Sequence, residues 1–172
     1  MKMIQKISAS LAGVVFCLAV PAQAKKATEA KAPISPNEIE ILDLINSKSV
    51  PKPLTQGKAS PKRGEAVIIA RDKGNCLSCH RISAFEQKAK TAPTQYGDMG
   101  EIGPPLDGVA KKYKPGQLRL LLIDAKTLFP ETMMPSYYKT KGLHRVSKPY
   151  QGKTILTAQE IEDILSFLAK LN

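Results

Sequence analysis

The sequence predicts an all-α domain over residues 63–172, set behind an N-terminal extension. Three observations point there. Apolar residues recur at helical spacing: Leu118, Leu121, Leu122 and Ala125 share one side of a segment, and Ile161, Ile164, Leu165, Leu168 and Leu171 form a stripe on another. No βαβ pattern is visible. Finally, Cys76-Leu77-Ser78-Cys79-His80 has the spacing of a c-type haem attachment site. Each thiol adds across one haem vinyl group, and the adjoining histidine is thereby brought beneath the iron. One covalently bound haem c is the expected cofactor, with Cys76 and Cys79 as its thioether anchors and His80 as the proximal iron ligand.

Residues 1–24 read as a cleaved secretory signal peptide. Lys2 and Lys6 give the positive start, Ile7 to Val20 the apolar stretch, and Ala22-Gln23-Ala24 a small-x-small cleavage site. That stretch is short for a membrane span, which needs about 20 residues, so no stable membrane insertion is expected. Cys17 follows Phe16 rather than a small residue, which disfavours lipidation. Cleavage after Ala24 leaves only Cys76 and Cys79, and a haem consumes both. The mature chain then has neither a disulfide nor a thiol for catalysis, despite an oxidising compartment. A periplasm is the expected location. Removing the two leader lysines from a net charge of +11 leaves +9. In an exported chain this charge speaks against nucleic acid; it fits a solubilising lysine-rich surface or steering toward an acidic protein or anionic substrate.

Residues 25–62 form an extension rich in Lys, Ala, Pro and Ser. Ser35, Pro36 and Glu38 signal a helix start there, followed by Ile39, Leu42 and Ile45 at three-residue spacing. Such a helix packs on its own domain or reaches a partner subunit; the first reading is preferred. In the domain, Glu65 to Arg71 reads as a short helix, and Asp72 to Asn75 breaks it before the cysteines. Residues 84–100, polar and carrying Pro93, Gly97 and Gly100, read as a loop. Pro115 starts a helix, and residues 126–153 form a long loop, a length more often functional than idle. Thr157 and Glu160 make a capping box for the last helix, where Lys170 suits the negative end.

A bare C-x-x-C also occurs in zinc sites and thiol redox proteins. Zinc would have to recruit carboxylates here, because His144 is the only histidine besides His80. A thioredoxin-like motif would follow a strand, whereas this one follows a helix-like segment. For the distal iron position the candidates are Met99, Met133, Met134 and His144. Met134 has the best context: it lies on a loop between two helices, and Pro135 stiffens the backbone after it. Chemistry alone leaves Met133 as an alternative. Methionine ligation would raise the reduction potential relative to two histidines. The Gly103-Pro104 turn is a candidate source of the carbonyl that orients His80, and an ordinary turn is the alternative.

The order of helix, CxxCH, Gly103-Pro104-Pro105-Leu106, helix, methionine loop and terminal helix resembles a class I cytochrome c. In that family the methionine before proline is the distal ligand, which corresponds to Met134, and the turn proline presents its carbonyl to the proximal histidine, which corresponds to Pro104. The segments 74–80, 100–104, 132–138 and 152–163 more narrowly resemble the SoxX family, the monohaem subunits of SoxAX complexes in sulfur oxidation. The resemblance implies a heterodimer with a SoxA-like haem subunit. In such complexes thiosulfate is joined oxidatively to a cysteine of the SoxYZ carrier, and the reactive site lies in SoxA. The SoxX subunit takes electrons from the SoxA haem and passes them to a soluble cytochrome, without activity of its own. The alternative is a free-standing periplasmic electron shuttle.

Overall fold

The computed structural model describes residues 32–35 and 48–171. The leader and the helix expected after Ser35 therefore lie outside the described residues. Helix α1 (Pro61–Ile69) and helix α6 (Ala158–Leu168) pack directly on each other and make the most extensive helix contact. Each has a sequence-encoded start. Ser60 caps α1 by accepting from the Arg63 N–H, with Pro61 at the first helical position. Thr157 and Glu160 form a reciprocal capping box on α6. The Ser60-Pro61 cap starts α1 earlier than its apolar residues suggest. The close approach needs Gly64, since a Cβ there would collide with the Asp163 backbone. The Asp163 carboxylate accepts from Ser60 N at 2.7 Å, Arg63 Nε at 2.7 Å and Gln159 Nε2 at 3.0 Å. Burial alone would raise Asp163, but these hydrogen bonds and the Arg63 charge outweigh it and hold the carboxyl below its ordinary value.

Between these helices run α2 (Ser83–Thr91), α3 (Pro93–Tyr96), α4 (Val109–Lys112) and α5 (Pro115–Asp124), with 3-10 turns at Cys76–Ser78, Ala125–Thr127 and Lys148–Tyr150. No strand occurs among the described residues, and none of their helices is long and apolar enough to cross a membrane. Helices α2 and α3 differ from the loop expected over 84–100. Only Phe85 of α2 is buried, so no apolar stripe announces the helix. Its formation rests on good helix formers such as Ala84, Glu86, Gln87, Lys88 and Ala89, with Glu86 in the first turn and Lys88 and Lys90 in the last. Phe85 then packs against Tyr96 and Phe167, at ring-centroid distances of 4.9 and 5.6 Å.

Helix α5 is enclosed on more than the expected side: Leu118, Leu120, Leu122 and Ile123 are buried, and so is Arg119. The Arg119 guanidinium makes a two-point ion pair with Glu162 at 2.7 and 2.8 Å and donates to Val50 O at 2.6 Å. Glu162 also accepts from Leu54 N at 2.9 Å. This buried pair satisfies its own charges and ties the 50–54 segment to α5 and α6. Val50 and Leu54, inside the stretch read as an extension, are fully buried core residues.

Candidate haem site

The CxxCH motif is shaped by the turn before it. Asn75 adopts a left-handed conformation with φ of +46°, which asparagine tolerates better than most residues. It launches the 3-10 turn in which Cys79 N and His80 N both donate to Cys76 O, at 3.1 and 2.9 Å. This places both cysteines and His80 on successive points of one tight bend. Among the described residues no group of three or more His, Cys, Asp or Glu side chains is placed to hold a metal ion. Burial pushes the Cys76 thiol up to about 12. A thiol redox motif needs the opposite shift, toward the thiolate.

Residues 100–106 run along this bend as a strap. Gly100 N donates to Leu77 O at 2.8 Å, Gly103 N to Cys79 O at 2.8 Å, and Leu106 N to Arg81 O at 2.9 Å. The strap presents the Pro104 carbonyl to His80 Nδ1 at 2.6 Å. A carbonyl only accepts, so Nδ1 carries the proton and donates, which fixes the tautomer. Among the described residues Nε2 makes no hydrogen bond, which in the neutral ring leaves its lone pair for a metal. Gly103 lies against the imidazole, where a Cβ would stand 2.6 Å from Nδ1 and strike the ring. Two thiols, an oriented imidazole with a free nitrogen and a glycine cleared for the ring fit a covalently attached haem.

The candidates for a second iron ligand separate by environment. Met99 Sδ accepts from Ile82 N at 3.4 Å, beside the strap. Met133 is 79 % exposed, whereas Met134 is half-buried and packs against the core. His144 is exposed. Tyr137 and Tyr138 are buried. Their hydroxyls donate to Gly74 O at 2.9 Å and Ile34 O at 2.8 Å, so each ring spans the interior to reach a distant carbonyl. The Tyr137 contact joins the methionine loop to the turn before Cys76.

The cytochrome c family model matches residues 61–172, and the chain belongs to that family. One covalently bound haem c comes with it. Among solved structures the chain matches one from the crystal structure of SoxXA from P. pantotrophus, with 31 % identity and a TM-score of 0.67. The match covers 81 % of this chain and 98 % of that one. Within the family the protein is a SoxX-like cytochrome c. No curated protein sequence matches it.

Proposed function

We propose that this chain is the electron-transfer subunit of a SoxAX-type heterodimer, with catalysis left to a SoxA-like haem subunit. In this reading Cys76 and Cys79 would hold the haem, His80 Nε2 and Met134 Sδ would ligate its iron, and the Pro104 carbonyl orients His80. The observation that carries it is the His80–Pro104 hydrogen bond, which leaves one imidazole nitrogen for iron. The likeness to SoxXA supports the partner. The chemistry of the complex divides naturally. Joining thiosulfate to a carrier thiol forms one S–S bond and releases the thiol proton and two electrons. The bound haem supplies a one-electron relay, so this chain takes the two electrons in turn and hands them to a soluble cytochrome. The mature chain has no cysteine beyond Cys76 and Cys79, so the reactive thiol belongs to another protein. The leader read at residues 1–24 supports a periplasmic location.

Affinity purification of the tagged mature protein from its native periplasm, with haem staining and mass spectrometry, tests this. A second haem-bearing chain should co-elute stoichiometrically. The purified pair should be reduced by thiosulfate in the presence of a SoxYZ-like carrier, and the isolated chain should not. A stable lone haem protein would mark a free-standing shuttle, and thiosulfate turnover by the isolated chain would overturn the division of labour.

A further inference from the structure

Four charged residues are buried among the described residues: Arg119, Asp124, Glu162 and Asp163. Three of them tie the core together. Arg119 pairs with Glu162 across α5 and α6, and Asp163 binds the start of α1. Asp124, the last residue of α5, faces a different target. One carboxylate oxygen accepts from Ser136 Oγ at 2.7 Å, and the other from Lys139 Nζ at 2.7 Å. Thr127 Oγ1 lies 3.5 Å from the second oxygen. Both strong bonds go to residues just beyond Met134. The neighbouring contacts reinforce the same loop. Lys126 Nζ donates to Thr132 O at 2.7 Å, Met134 N donates to Thr132 Oγ1 at 3.2 Å, and Tyr137 N donates to Leu122 O at 3.1 Å.

We propose that Asp124 is a positioning residue that holds the Met134 loop closed, acting through Ser136 and Lys139. It rests on the reading of Met134 as the distal ligand. A loop carrying a ligand has a closed state and a minor open state, and an external ligand binds only the open one. Its apparent affinity therefore scales with the open fraction. Charge-assisted hydrogen bonds made only in the closed state keep that fraction small. Asp124 touches both loop residues directly, whereas the other buried charges bind elsewhere.

The test uses the oxidised holoprotein, with imidazole as the external ligand. Asp124→Asn should tighten imidazole binding about tenfold, the effect of losing one charge-assisted hydrogen bond. The weak far-red band of methionine-ligated ferric haem should diminish with it. Lys139→Gln and Ser136→Ala should each act in the same direction. Asp124→Asn added to both should change little more, because the three residues form one device. Asp163→Asn is the control, expected to lower the unfolding temperature without changing imidazole affinity. If Asp124→Asn fails to fold, the Lys139 and Ser136 variants carry the test. Unchanged imidazole binding in the folded variants, or equal tightening in Asp163→Asn, overturns the proposal. A wild-type protein without the far-red band instead overturns the ligand assignment beneath it.

Discussion

In the proposed site the strap at 100–106 and the loop at 126–153 act together, but they are held by different means. The strap is laced to the CxxCH bend by peptide groups: three backbone hydrogen bonds and one proline carbonyl fix it to residues 77–81. Among its side chains, Glu101 adds an exposed ion pair to Arg81 at 2.9 Å, and Gly103 must carry none. The loop carries Met134 and is held in large part by side chains, with Asp124, Lys126, Thr132, Ser136 and Lys139 all engaged. The difference teaches where each part is vulnerable. Peptide lacing does not titrate and yields only to steric insult, whereas a side-chain clamp yields to single substitutions and to pH.

The largest effect should follow an insult to the strap. Gly103→Ala puts a methyl into the His80 ring, and neither the ring nor the laced backbone can yield without breaking a hydrogen bond. A stability loss of about 3 kcal/mol is expected, the upper range for overpacking. Denaturant unfolding of the holoprotein measures it. A variant as stable as the wild type would show that the strap is looser than its lacing implies. Next in size is Met134→Ala. For a minor open state of about one per cent, loss of the ligand should tighten imidazole binding about a hundredfold. The potential should fall as methionine ligation is lost. An unchanged spectrum and potential would sink the ligand assignment.

The two regions also differed in how far the sequence revealed them. Cys76, Cys79 and His80 are legible because covalent attachment imposes a local spacing. The Gly103-Pro104 turn is legible only as a candidate until the strap lies against His80. Helix α6 is legible from its capping box and apolar stripe, and α2 is not, because one buried aromatic leaves no periodic signal. Its run of helix-forming residues with charges suited to each end was the signal available. Tyr137 and Tyr138 carry no periodic signal in their loop; their burial goes with hydroxyl bonds to carbonyls far away in sequence. Val50, Leu54 and Asp124 were missed for the same reason. Each takes its role from partners that only the fold brings near, and nothing in the local pattern of residues 48–60 marks Val50 or Leu54 as core.

Acid should separate the clamp from the lacing. Burial alone would raise Asp124, but the hydrogen bonds from Lys139 and Ser136 and the Lys139 charge outweigh it and hold the carboxyl below its ordinary 3.8. A depressed folded value means the contribution is fully present above the unfolded value and is lost as pH falls through the folded one. Below about pH 4 the far-red methionine band should therefore weaken in the wild type. In Asp124→Asn that part of the acid dependence should be absent. A matching acid profile in both proteins would assign the loss to other carboxylates, with Asp163 the first to examine because it is depressed in the same way.

The smallest effect should come from the neighbour of the proposed ligand. Met133 and Met134 have the same side chain on consecutive residues, and sequence chemistry alone does not choose between them. Their environments do differ: Met133 is 79 % exposed, whereas Met134 packs against the core. Met133→Ala should change stability by less than about 0.5 kcal/mol, as expected for an exposed site. Its potential, far-red band and imidazole affinity should match the wild type. A loss of the band in Met133→Ala with retention in Met134→Ala would reverse the assignment. It would also require the loop to turn by one residue against the Asp124 clamp, since Ser136 and Lys139 fix its register. The paired variants therefore measure ligand identity and clamp strength together.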